Sequence, residues 1–213
     1  MYLSKLLLNK NCAQARADLG NPYNMHRTIM RSFPTPLSED ERVLFRIEYA
    51  ISGENAVVLV QSMEEPNWEK VEKLHNDYFA QEPMSRSLKT LKFKNGDLFR
   101  FRMRVTISKR VVYKNSGKSQ RISLFSEQDR IEWLNRKAKN GGFSLMGERL
   151  VVRDAPYRNF LIKRENENFR ATLNMVDVDG QLTVEDGEKF LECFMQGIGP
   201  AKGLGCGLVS LAK

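Results

Sequence analysis

Between Phe99 and Ile107 the chain alternates without a break: Phe99, Phe101, Met103, Val105 and Ile107 at the odd positions, Arg100, Arg102 and Arg104 between them. Successive side chains of a strand point to opposite faces, whereas a helix would scatter the arginines around its circumference. The stretch therefore has to be a strand, Leu98 to Ile107, with one face in a core and a row of guanidiniums on the other. A strand of this kind needs sheet neighbours and a layer to cover its apolar face, and the order of elements around it supplies both.

In the first half, Met1 to Leu8 reads as a strand and Cys12 to Leu19 as a short helix stopped by Gly20. Asn21-Pro22 then opens a second helix, Tyr23 to Ser32, because Asn caps well and Pro suits the first helical position. Met25, Ile29 and Phe33, at i, i+4 and i+8, form its buried edge. Val43 to Tyr49 alternates as a strand, with Val43, Phe45, Ile47 and Tyr49 inward. A turn at 52–55 leads to a more buried strand, Ala56 to Gln61. Pro66-Asn67-Trp68 opens a helix to about Tyr78, and Leu88 to Lys94 is a strand closed by Asn95-Gly96-Asp97. This β-α-β-β-α-β order is the ferredoxin-like arrangement.

The second half repeats the order less cleanly. After the arginine strand comes a basic hairpin, Val111 to Leu124, with its tip at 114–118. A helix, Glu127 to Lys139, turns Ile131 and Leu134 inward and ends at Gly141-Gly142. Phe143 to Val152, Phe160 to Lys163 and Asn168 to Val178 are strand-like, and Asp179-Gly180 reads as a hairpin turn. A last helix, Glu185 to Met195, precedes a glycine-rich loop and a final strand, Leu208 to Leu211. The fold class is α+β: tandem ferredoxin-like βαββαβ domains, 1–95 and 96–213, with a C-terminal glycine-rich loop.

Composition narrows the function. The 213 residues include 41% hydrophobic, enough for packed cores. No apolar run approaches the ~20 residues of a membrane helix, and no cleavage site follows Met1 to Lys10, so no membrane partner and a cytoplasmic location are expected. Cys12, Cys193 and Cys206 lack metal or disulfide spacing and read as free thiols. The net charge is +8, yet residues 86–121 alone hold twelve Lys and Arg against one acid, Asp97, so the remainder is net negative. A solvated face mixes both signs; a one-sign stripe this long points to a polyanion, of which nucleic acid is the commonest. The arginine row could instead pair with acids, but with basic hairpin residues beside it phosphate contact is the better reading.

The tail holds Gly197, Gly199, Gly203, Gly205 and Gly207 around Lys202. A dinucleotide loop leaves a strand and opens a helix; here the glycines leave a helix and enter a strand. A helix cap would need only one or two. Something approaches this backbone closely, and the loop reads as the rim of an RNA cleft, where its N–H groups and Lys202 either meet phosphate or brace the fold so that the cleft stays open.

Two histidines are present. A lone helical His is commonly a surface residue, which is the reading of His75. His26 differs: Tyr23 shares its helix face, and Arg27 and Arg31 lie nearby. RNA carries its own nucleophile, the 2′-OH. Cleavage then needs a base, an acid for the leaving oxygen, and cations for the phosphorane, all within reach of a His and its neighbours. No HExxH, carboxylate cluster or Cys/His array points to a metal or other cofactor; Asp177 and Asp179 read as turn residues.

Three stretches carry a family likeness: Met1-Tyr2-Leu3-Ser4-Lys5, the helix Asn21-Pro22-Tyr23-Asn24-Met25-His26-Arg27, and the tail from Gln196 to Leu208. Together they resemble the CasE family, the CRISPR RNA-processing endoribonucleases of type I-E systems. The resemblance implies two ferredoxin-like (RRM-like) domains facing a cleft. It also implies a CRISPR repeat stem-loop as substrate, and metal-independent cleavage at the 3′ base of the stem. The products would carry 2′,3′-cyclic phosphate and 5′-OH ends, and the enzyme, a monomer when alone, would keep its product and join the other Cascade subunits. The family's Tyr-x-x-His pair falls on Tyr23 and His26. The expected RNA contacts are Arg27, Arg31, Arg100, Arg102, Arg104, Lys109, Arg110, Lys114 and Arg158, with Gly199, Lys202 and Gly203 of the loop. Two readings of another class stay open: a non-catalytic RNA-binding scaffold, and a domain for a small phosphorylated ligand.

Overall fold

The structure is a computed structural model that describes residues 1–38, 41–48, 56–112, 119–155, 159–163 and 168–213. In the first half the elements are β1 (Tyr2–Leu8), α1 (Ala13–Gly20), α2 (Pro22–Met30), β2 (Leu44–Glu48), β3 (Ala56–Ser62), α3 (Glu69–Leu74) and β4 (Met84–Ser87). The strands form an antiparallel sheet of order β2-β3-β1-β4. The start of α2 is dictated locally. The Asn21 side chain accepts a hydrogen bond from the Tyr23 N–H and Pro22 takes the first position, a cap worth about 1 kcal/mol. Met25, Ile29 and Phe33 are buried and pack with Leu6, Leu8, Phe45 and Val58 in the first core.

Two expectations in this half need correction. The third helix ends at Leu74, not Tyr78, because Asp77 turns into the left-handed region (φ 58°). Tyr78 instead runs back into the core, where its hydroxyl donates to Asp18 at 2.6 Å. The fourth strand is Met84–Ser87, not Leu88 to Lys94. The alternation of Leu91 and Phe93 has another cause: both drop onto the second core, with Phe93 centred 4.7 Å from Phe190 and 5.6 Å from Phe194.

The second half comprises β5 (Leu98–Thr106), β6 (Ser108–Val112), β7 (Ser119–Ser123), α4 (Glu127–Asn140), β8 (Phe143–Leu145), β9 (Val151–Asp154), β10 (Asn159–Lys163), β11 (Asn168–Thr172), β12 (Met175–Val184), α5 (Gly187–Gln196) and β13 (Val209–Ala212). Its main sheet has the order β13-β5-β12-β8, with β9 also on β12, while β6-β7 and β10-β11 form two-stranded ribbons. Counting only the strands that flank α4 and α5, each sheet runs fourth-first-third-second in chain order. A one-turn helix at Gly147–Arg149 interrupts the strand expected over Phe143 to Val152. The one expected over Asn168 to Val178 breaks between Thr172 and Met175. In α4, Trp133 and Leu134 are buried, but Ile131 is 37% exposed and not inward. Nor is Asp179-Gly180 a turn: β12 passes straight through it, with Gly180 opposite Phe101. A Cβ at Gly180 would stand 3.0 Å from the Phe101 ring, so the glycine makes room for an aromatic on the neighbouring strand.

The two halves are joined through β2, and here the alternation rule fails. Phe45 and Ile47 enter the first core as expected, but Arg46 on the opposite face is only 2% exposed. Its guanidinium donates to the carbonyls of Arg102 (2.9 Å) and Leu208 (3.1 Å), to Ser210 Oγ (2.8 Å) and to Glu48 Oε1 (2.5 and 2.7 Å). Gln61 on β3 donates to the carbonyls of Phe194 and Met195 at the end of α5. The expected inward Tyr49 and the turn at 52–55 lie outside the described residues. Among the described residues no helix is long and apolar enough to cross a membrane. Cys12, Cys193 and Cys206 are free thiols, and burial pushes Cys193 up to about 11 and Cys206 to about 12.

Candidate active site

The N-terminus of helix α2 is held by one side chain, its cap Asn21. Asn21 accepts from Tyr23 N–H through its carbonyl and donates through Nδ2 to the Leu161 carbonyl of β10 at 2.7 Å. The helix that carries Tyr23 and His26 is thereby fastened to the second half of the molecule. Both side chains are half-buried. The His26 ring lies 6.4 Å from the Phe45 ring, tilted by 38°. Its other neighbour is the glycine loop: a Cβ on Gly203 would sit 3.3 Å from His26 Nε2. Burial holds His26 below its ordinary value of 6.5, so near neutrality the imidazole is uncharged and can accept a proton.

The loop reaches His26 by a tight path. Gly197, Gly199, Gly205 and Gly207 all have φ between 73° and 92°, and Lys202–Leu204 form a single 3-10 turn. Gly205 packs beneath the Phe45 ring, where an added Cβ would be 3.2 Å away. Phe45 is thus held from below by one glycine while His26 is faced by another. The glycines pack against the fold, on Leu44, Trp133, His26 and Phe45, which agrees with the bracing role among the two read from the sequence.

The basic residues divide into two groups. Arg104 is 4% exposed: it donates to both oxygens of Asp177 (2.7 and 2.9 Å) and to the Ile47 carbonyl, so the expectation that it holds RNA is corrected. A guanidinium so deep needs a carboxylate partner to offset its desolvation. Arg102, half-exposed, donates to Asp179 at 2.6 Å and lies 3.7 Å from Glu48. Arg100, exposed, donates to the Lys213 carbonyl. The acids that the row could have paired with are therefore directly across β12, in register with it. Arg31 donates to His75 Nε2 at 3.1 Å, so His75 is not a residue without partners and Arg31 is turned toward the end of α3.

The second group is exposed or half-buried and, among the described residues, forms no ion pair with an acid. Arg27, Lys109 and Arg110 are exposed. Arg110 stands directly opposite Arg121 on the β6-β7 ribbon, a like-charge pair that destabilises a ribbon unless an anion lies over it. Lys202 is half-buried; burial first, and then Arg42 and Lys137, lower its pKa. Arg42 itself donates to Gln196 Oε1 at 3.1 Å. Gly199 lies against Trp133. Lys114 and Arg158 lie outside the described residues. Sequence reasoning missed Phe45, Asn21 as an inter-half tie, and Arg42. Phe45 was legible as an inward residue and Asn21 as a cap, but not what they meet, and the buried Arg46 beside Phe45 was missed as well.

A half-buried histidine whose burial disfavours its charged form, one helical turn from a tyrosine, next to the exposed Arg27 and faced by a glycine loop, is an arrangement chemically able to transfer a proton. A family model described as CRISPR associated protein matches residues 1–213. The CRISPR-associated endoribonuclease Cse3 of Thermus thermophilus is 35% identical over 219 residues, covering 100% of both chains. The CRISPR system Cascade subunit CasE of Escherichia coli is 29% identical over 228 residues, covering 100% of this chain and 99% of that one. The structure of the CRISPR endoribonuclease Cse3 bound to 19 nt RNA superposes with a TM-score of 0.84 at 34% identity over 100% of both chains. The chain belongs to the Cse3/CasE family of CRISPR endoribonucleases.

Proposed function

We propose that the chain is built of two ferredoxin-like modules, 1–95 and 96–213, and cleaves the stem-loop of CRISPR repeat RNA at the 3′ base of the stem. The relatives' RNA-bound structure and Cascade membership support this substrate and its retention in a Cascade assembly. The observation that carries the chemistry is the seat of His26 between Phe45 and Gly203. In this reading His26 or Tyr23 takes the proton of the 2′-OH, O2′ attacks the adjacent phosphorus, and the P–O5′ bond breaks with a proton delivered to O5′. The lowered pKa of His26 favours it as the base, leaving Tyr23 to orient the 2′-OH or donate the proton. The exposed cations Arg27, Lys109 and Arg110 and the half-buried Lys202 offset the phosphate charge.

The products distinguish this reaction from water-driven hydrolysis. Mass spectrometry of the cut repeat should find a 2′,3′-cyclic phosphate (or its opened form) upstream and a 5′-OH downstream. A 5′-phosphate would exclude attack by the 2′-OH. The pH profile follows from the burial of His26. Its folded-state value lies below 6.5, so the free enzyme keeps the basic form until the pH falls through that lower value. The acid limb of kcat/KM should therefore have its midpoint below 6.5. A midpoint at or above 6.5 would remove His26 as the base.

A further inference from the structure

On the first half, between α3 and β4, lies a groove of about 860 Å³ that the cleavage chemistry does not use. Trp68, Phe79 and Pro83 line it, as do Glu65, Glu69, Glu72 and Glu82, and no Lys or Arg among the described residues does. Glu69 is paired with Lys73 at 2.7 Å and Glu72 accepts from the Phe79 N–H at 3.4 Å, while Glu65 and Glu82 are exposed at the rim beside Trp68 and Phe79. One side is bounded by β4, the outer strand of its sheet among the described residues, all of whose residues are exposed. Met84, between the lining residues Pro83 and Ser85, is 58% exposed.

The charge of this groove decides its occupant. The chain is net positive overall, with its basic excess gathered in residues 86–121, yet the lining itself holds four glutamates and no Lys or Arg; the cations at its margin are Lys73, paired to Glu69, and Arg86 on the bounding strand. RNA phosphates would be repelled there, while an apolar floor rimmed by carboxylates is complementary to a peptide with the opposite pattern. We propose that this groove is a docking site for a segment of a protein partner that carries Lys or Arg beside an apolar anchor. The anchor seats on Trp68 and Phe79, and the cations meet Glu65, Glu72 and Glu82. The docking site is independent of the cleavage reading, since none of these residues belongs to the His26 site.

The test uses the full chain and a short fluorescent peptide of alternating lysine and leucine, with its glutamate–leucine counterpart as control. Anisotropy should show binding of the cationic peptide only. The exposed-site double substitution Glu65→Lys/Glu82→Lys should weaken it by about tenfold or more, while Glu127→Lys/Glu188→Lys, away from the groove, should not. The peptide should shift the Met84 methyl resonance, and repeat RNA alone should leave that resonance unmoved. Equal loss with either double substitution, or a silent Met84, would overturn the site. A Met84 shift caused by RNA alone would make RNA the occupant. Cleavage by Glu65→Lys/Glu82→Lys should stay within about twofold of the parent, which separates failure of docking from failure of the nuclease reading.

Discussion

A His26→Ala protein is expected to bind the repeat hairpin with a Kd within about threefold of the parent and to cut it about 10²- to 10⁴-fold more slowly, a loss typical of a missing general base. Binding should survive because three of the four cations proposed to meet phosphate belong to other elements, Lys109 and Arg110 to β6 and Lys202 to the glycine loop, and the fourth, Arg27, is untouched by the substitution. Folding should survive too. His26 is only half-buried, and its removal leaves Phe45 seated on Gly205 and in the first core. Single-turnover cleavage and filter binding on the same preparation check both halves of the expectation. Unchanged cutting would take His26 out of the mechanism. A parallel loss of binding would recast it as a residue that shapes the cleft.

What the sequence revealed about this site depended on whether a local rule governed each residue. The start of α2 was legible because Asn21-Pro22 is a local instruction, and the helix then places Tyr23 and His26 on one face whatever lies beyond it. The two sides of β5 were legible for the same reason. What those sides meet was not. The arginine row pointed as expected, but two of its three arginines are met by Asp177 and Asp179 on β12, whose positions in sequence suggested a turn. Leu91 and Phe93 carried a strand's period without forming a strand, because period 2 also arises when alternate side chains of an extended linker dock on a core. The glycine loop was recognised as a place of close approach. What approaches it proved to include the protein itself, at Leu44, Trp133, Phe45 and His26.

Arg46→Ala should be the most damaging single change to stability. The guanidinium donates to two main-chain carbonyls and Ser210 across the junction and to Glu48 within its own strand. Burial pulls the Arg46 pKa down and Glu48 pushes it back up, so the charge is retained by its partners. Truncation strands the Arg102 and Leu208 carbonyls away from water and removes the closer of the two cations near Glu48. Breaking a buried ionic arrangement of this kind costs about 3 kcal/mol or more. In a chain of this size that corresponds to a fall in Tm of roughly 6–12 °C. Glu48→Gln should cost much less, about 1 kcal/mol, because Glu48 is 28% exposed and water can replace part of the interaction. The shape of the transition is the sharper readout. Each half has its own core, and the Arg46 bonds are among the polar ties between them. Urea unfolding of Arg46→Ala, followed separately at Trp68 in the first core and Trp133 in the second, should therefore split into two midpoints, with those of the parent closer together. A midpoint unchanged at both tryptophans would show that apolar contact alone holds the halves in register, and that Arg46 is buried there without fixing the junction beside which Phe45 and His26 sit.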